Sequence, residues 1–395
     1  MSDDALFNWG HLYLPAYLSQ KAAAASGDFQ AVDLFSQQAA MVGDEDGATS
    51  PRPPRTTIPD ELELTASPAI ATIVERARDA QVVILNEAHN ISGHRAFAEQ
   101  VLRALRPHGF SVFAAETFNW QRDWEAPVQD LRPGAPFLHQ HGTYSRDPVY
   151  AEAARAALEL GYRLAGYEIT RAQSVVADDA PWQEKINERE EAQARNLIAN
   201  VLEPDPTARV VVLCGLNHVT EAPIDELEWF ASRLKRLSGI DPLTIEQSAN
   251  WPAFDPANDA AATRAVLERL APSEPVAVFE PTGRAFTVDP YSDRVDLSVF
   301  HPRIAAVNGR PGWLAADPTR RATSVRFKAP GGPALIQAIR WTEGMGAVPS
   351  DHCLVAPDQT SATLYLRPND YLIRIENSAG LSVLGQLTVE AEPHG

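Results

Sequence analysis

The chain has 395 residues, 45% of them hydrophobic and 22% charged, a balance that describes a folded globular protein able to bury a core without disulfides or structural metal. Its 52 acidic and 34 basic residues give a formal charge of −18, which repels nucleic acid and anionic membrane, since both are held chiefly by Lys and Arg clusters. Cys214 and Cys353 form no C-x-x-C pair, the acidic N-terminus has no basic region ahead of its apolar residues, and no run of 18 apolar residues occurs; reduced packing cysteines and a cytoplasmic protein are expected.

Residues 1–65 read as a helical N-terminal arm and a Pro-rich linker, with Ala, Leu and Gln runs followed by GDEDGATSPRPPRTTIPDE and its four prolines. From residue 66 to 255 apolar runs alternate with amphipathic segments, the pattern of βα units around a parallel sheet. Strands are expected at Val82 to Leu85, Phe110 to Ala115, Arg163 to Tyr167, Val210 to Leu213 and Leu243 to Glu246. Each is apolar on both parities, as when helices cover both faces of a sheet. After the first strand, Ser92 is placed to cap a helix whose stripe is Phe97, Val101 and Leu105, ended by Pro107 and Gly109. Residues 121–146 hold Pro and Gly without a period, the place for a lid. Asp147 and Pro148 begin a helix that Gly161 stops, and a longer helix runs from about Pro181 to Leu202. Residues 256–395 change texture: a helix at 260–270 precedes short runs such as VAVFEP, RVDLSVF, ATLYLRP and DYLIRIEN. The expected fold class is therefore α/β, a mostly parallel sheet with helices on both faces, plus a smaller C-terminal antiparallel β domain.

Ligands of open parallel sheets bind outside the carboxyl ends of the strands. The first strand ends in Asn86, Glu87 and His89, the second in Glu116, the third in Glu168, and the fourth in Gly215, Asn217 and His218. Three carboxylates and two imidazoles are thus aimed at one edge. On the long helix, Trp182, Ile186 and Leu197 mark an inward face, which places Arg189, Gln193 and Asn196 on or beside it, where the carboxylates can partner the cation and amides. His89, oriented by a carboxylate, can take a proton from water, and His218 can return one to a leaving group or polarise a carbonyl. The same Glu87, His89, Glu116 and His218 are also ordinary ligands for a divalent metal, although H-E-x-x-H is absent. G-x-S-x-G, the phosphate-binding G-x-x-x-x-G-K-S/T and a G-x-G-x-x-G after the first strand are absent too. His139 and His141 in the insertion are expected to face solvent, and His94 to lie at the pocket rim or on the surface.

VVILNEAHNISGHRAFAEQVLRALRPHGFSVFAAETF, LAGYEIT, NEREEAQARNL and VVVLCGLNHV resemble, in the same order, segments of the erythromycin esterase and ChaN-like family within the Tiki superfamily. The resemblance spans roughly residues 75–250. It implies a pocket of Glu87, His89, Glu116 and His218 supported by Glu168 and Arg189, with Asn86 where the motif usually has Gly and one residue rather than two between Glu87 and His89. Esterase members cleave esters or lactones with water, Tiki proteases are metal-dependent, and ChaN-like members bind haem. The expectation is a hydrolase acting on an ester, lactone or amide of a small molecule or peptide. The alternatives are a haem or iron-chelate binder and a metal-dependent peptidase. The C-terminal β region is a candidate for docking substrate or pairing a homodimer.

Overall fold

The computed structural model describes residues 12–48, 62–121 and 127–391; most of the expected Pro-rich linker lies outside them. Three N-terminal helices, α1 (Leu14–Ala24), α2 (Phe29–Met41) and the short α3 (Glu45–Ala48), precede an eight-stranded sheet of order β1-β7-β8-β6-β2-β5-β3-β4. In chain order its elements are β1 (Thr65–Pro68), α4 (Ala69–Arg76), β2 (Val82–Glu87), α5 (Ser92–Leu105), β3 (Phe110–Ala115), α6 (Pro148–Glu159) and β4 (Arg163–Gly166). They continue through α7 (Trp182–Leu197), β5 (Arg209–Gly215), α8 (Phe230–Ser238), β6 (Leu243–Glu246), α9 (Ala261–Leu270), β7 (Val276–Phe279) and β8 (Leu297–Phe300). All five expected strands form, and β6, β2, β5, β3 and β4 pair in parallel.

The two apolar parities of each strand feed two cores. Val83, Leu85, Val211, Leu213 and Phe113 pack under α4, α5 and α6 with Phe97, Val101, Leu105 and Tyr150. Val82, Ile84, Val210, Val212 and Val112 pack under α7, α8 and α9 with Leu197, Phe230, Leu234 and Val266. Burial on both faces is why these strands carry no polar alternation.

The boundary expected at residue 255 moves. β8 runs parallel beside β6, and β7 and then β1 add antiparallel at that edge, so VAVF and LSVF belong to the large sheet. Four-residue apolar strands have too little pattern to reveal which sheet they join. Beyond the short helix α10 (Gly312–Ala315), the strands β9 (Arg321–Arg326) and β12 (Ser361–Leu366) form a pair. A four-stranded sheet follows the order β11-β10-β13-β14, made of β10 (Ala334–Arg340), β11 (Asp351–Val355), β13 (Asn369–Asn377) and β14 (Gly380–Val389). The ladders of both are antiparallel.

The arm is fastened to this smaller sheet. Tyr13, Leu14 and Tyr17 pack with Ala39, Val42 and Leu335, and Glu376 Oε1 accepts hydrogen bonds from the amides of Tyr13 (2.8 Å) and Leu14 (2.6 Å), donors that the start of a helix leaves unpaired. Asp147 caps α6 by accepting from Val149 N at 2.9 Å, with Pro148 in the first turn as expected. The cap expected from Ser92 does not form: α5 begins at Ser92 itself, and its hydroxyl turns to Asp147 Oδ2 at 2.7 Å. Trp182 is 56% exposed rather than inward, because the first turns of α7 overhang the core and continuous burial begins only near Glu190. Among the described residues no helix is long and apolar enough to cross a membrane.

Candidate functional site

The central strands end nearly level. Glu87 lies opposite Gly215, and Ala115 lies opposite both Leu213 and Gly166, so the residues just past each strand meet above the sheet. His89 Nδ1 lies 2.9 Å from Glu87 Oε1, and Glu87 is gripped from behind by Arg95 of α5, whose Nε donates to Oε2 at 2.6 Å. Arg95 also donates to Asp147 Oδ2 and to the His89 carbonyl at 2.9 Å. Burial would raise the Glu87 carboxyl, but Arg95 and His89 outweigh it and hold the group at about 2.

A second pair mirrors the first. His218 Nδ1 lies 2.8 Å from Glu190 Oε2 on α7, a carboxylate with no solvent exposure. Between the two imidazoles stands Glu116: its Oε1 is 3.9 Å from His89 Nε2, and its Oε2 is 3.5 Å from His218 Nε2. The Gly215 amide donates to Glu116 Oε1 at 3.1 Å and holds the carboxylate across the gap. Burial works against a charged His218, yet Glu190 and Glu116 raise its pKa above the ordinary value. Arg189 Nη1 is 3.2 Å from the same Nε2, so this nitrogen faces an acceptor while protonated and a donor once the proton has left. Arg189 is oriented by Glu168, whose Oε1 accepts from Nε at 3.0 Å and whose Oε2 also accepts from Gln193 at 3.0 Å.

The insertion supplies a cover. Val128 and Phe137 pack into the core beside α6, and the Tyr144 ring stacks on His89 with centroids 3.8 Å apart and planes 13° off parallel. His139 and His141, expected at the surface, are buried here; His141 Nδ1 accepts from Leu138 N at 2.9 Å, and burial pushes its imidazole down to about 4. His94 is also buried rather than at the rim, its Nδ1 accepting from Ala88 N at 3.1 Å.

The structure thus brings Glu87, His89, Glu116, Glu168, Arg189 and His218 together. Asn86 is a support below the site: it is fully buried, donating to Leu216 O (2.9 Å) and Ser248 Oγ (3.1 Å) and accepting from Gln247 N (2.8 Å). Asn217 is half-buried beside His218, its carbonyl accepting from Thr220 N. Arg95, Tyr144 and Glu190, and the second role of Asp147, were not read from the sequence. A signal existed for Glu190, which shares the helical stripe of Ile186, Gln193 and Leu197, where a lone acid needs a buried partner. Arg95 likewise falls on one stripe with Ala98 and Leu102. Cys214 packs beneath the cluster with its thiol on Leu85 O at 3.4 Å, and burial pushes that thiol well up.

The donors do not fit a divalent ion. The Arg189 guanidinium, 3.2 Å from His218 Nε2, stands where an ion on that nitrogen would sit, so the charges would repel. Among the described residues no group of three or more His, Cys, Asp or Glu converges on one point.

No protein-family model matches the chain, and no curated protein does. Among solved structures, one described as bacterial protein toxins aligns with a TM-score of 0.34 and 14% identity over 43% of this chain and 36% of that chain. The type III effector HopBA1 aligns with a TM-score of 0.34 and 14% identity over 49% of this chain and 89% of that one. The Pasteurella multocida toxin, described as having a thiol-protease like catalytic triad in its C-terminal region, aligns with a TM-score of 0.32 and 11% identity over 94% of this chain and 51% of that one. The chain therefore spans about a third of the first structure's length, and likenesses this slight assign no function.

Proposed function

We propose that the chain is a hydrolase of the erythromycin esterase and ChaN-like kind, cleaving an ester, lactone or amide with water activated by His89. The observation that carries this reading is the facing pair of carboxylate-held imidazoles, His89 on Glu87 and His218 on Glu190, with both Nε2 atoms turned to Glu116. Glu87 fixes Nδ1 of His89 as the protonated nitrogen and leaves Nε2 to take a proton from water. The resulting hydroxide adds to the acyl carbon, while Arg189, 31% exposed at its side chain, faces the negative charge that develops on the carbonyl oxygen. The bond to the leaving group then breaks, and that group takes the proton from His218 Nε2, which Arg189 satisfies in turn.

Charge narrows the substrate. The cluster sets Glu87, Glu116, Glu168, Glu190 and Asp147 against two arginines, both already bonded to carboxylates. A neutral or cationic acyl compound suits this field better than a phosphate or sulfate ester.

The test is a panel of nitrophenyl esters, lactones and amides against the wild type and the single variants His89→Gln and His218→Gln. Loss of a general acid or base predicts a fall in kcat/KM of about 10²–10⁴-fold in each variant. Activity unchanged in both overturns the reading. Chelator-sensitive activity restored by a divalent ion would replace it with a metal-dependent peptidase, and saturable haemin binding without hydrolysis would replace it with a haem carrier.

A further inference from the structure

We propose that a half-open cavity of about 730 Å³, bounded by α5, residues 251–256 and residues 302–314, is a second ligand site for a neutral or cationic molecule carrying a planar aromatic ring. Neither His89, Glu116 nor His218 lines it, and Asp147 is the one residue of the cluster that does, so a ligand here lies behind the reacting groups rather than among them. Its size is that of an ordinary small-molecule pocket.

Two indoles give the cavity its walls. Trp251 is seated against α5 at Gly93, where a Cβ would lie 2.0 Å from the ring; the glycine is what admits the indole. Trp313 is fixed by donating Nε1 to Glu45 Oε1 at 2.8 Å. Phe254 and Ile304, 58% and 40% exposed, add apolar surface to the wall.

The charges select the ligand. The three arginines of the wall are each matched: Arg103 to Glu99 at 2.7 Å, Arg310 to Asp351 at 2.7 Å, and Arg303 to Asp259. Burial pushes the lining imidazoles of His301 and His352 down to about 3 and about 4, so both are neutral at physiological pH. Glu274 adds a carboxylate to the lining, and Glu45 is a half-buried acid whose pKa is raised by desolvation. Among the described residues an anion finds no spare cation here, whereas a cationic or neutral ring can lie against indole faces beside acidic groups.

Fluorescence titration of the full chain tests this with two probes, the cationic dye thioflavin T and the anionic anilinonaphthalene sulfonate. Thioflavin T is expected to bind saturably and more tightly than the anion, and binding is expected to weaken about tenfold or more in Ala96→Phe, which fills the cavity, and in Phe254→Ser. If Ala96→Phe does not fold, Phe254→Ser decides, since its side chain is largely exposed. Absence of saturable thioflavin T binding, equal binding in the folded variants, or tighter binding of the anion overturns the proposal. None of these outcomes bears on hydrolysis at His89.

Discussion

Gly215 shows how narrow the tolerances of the cluster are. Its φ of −79° suits any residue, so the requirement is space: a Cβ would stand 2.7 Å from His89 Cε1 and 3.0 Å from Glu116 Oε1. Gly215→Ala is therefore expected to push the imidazole from its position and lower kcat/KM by about 10²-fold, while the thermal midpoint moves little. The next residue, Leu216, has φ +30° and is 46% exposed, a strained backbone at the strand tip of the kind that accompanies functional sites. Glu190 acts at the same scale but through His218. Its carboxylate favours the charged imidazole, so the raised pKa keeps His218 protonated below that value, and activity that needs its proton falls as pH rises through it. Glu190→Gln removes the largest influence raising that pKa, and the alkaline limb of the pH profile is expected to move to lower pH. A uniform drop in rate at every pH would instead mark Glu190 as merely structural.

At the scale of elements, the strands were legible because burial on both faces leaves continuous apolar runs, as in VVIL and VVVL. The site was legible in part because parallel strands end level, so that Glu87, Glu116 and His218 share an edge without any knowledge of side-chain contacts. What the sequence hid were residues delivered from helices and the insertion. Arg95 and Glu190 look like surface charges until their stripes are traced, and nothing local forecasts that Tyr144 lies on His89. Asp147 was read correctly as a cap but incompletely, since its second oxygen reaches Ser92 and Arg95 and ties α6 to α5. Asp147→Asn separates the two roles. Asparagine caps helices as well as aspartate does, so the start of α6 should survive, while fully buried Arg95 loses one of its two carboxylates. The expected loss is on the order of 2 kcal/mol in denaturant unfolding, and a variant as stable as wild type would show that Asp147 serves α6 alone.

At the scale of the molecule, the large sheet and the smaller C-terminal sheets are joined by buried charge as well as by apolar contact. Glu152 of α6, 1% exposed, accepts from Arg155 (3.1 Å), from Arg340 at the end of β10 (3.0 Å), from Arg367 after β12 (3.2 Å) and from Ser350 (2.9 Å). Burial would raise this carboxyl, but the arginines outweigh it and hold it far below the usual carboxylate range. Arg155 also pairs with Glu343 at 2.6 Å, and Arg367 with Glu99 of α5, so the network spans two helices of one layer and the strand ends of the next. Such a network is weak evidence of net stability, because desolvating its charges costs about as much as pairing them gains. It is strong evidence of mutual dependence, because removing one carboxylate strands several guanidinium groups in a dry environment. Glu152→Ala is thus expected to cost about 3–5 kcal/mol. The loss should fall first on the contact between α6 and the C-terminal sheets, so that a single calorimetric transition broadens or splits. A loss below about 1 kcal/mol with one sharp transition would mean that apolar packing and the N-terminal arm, clasped by Glu376, hold the layers together without the network.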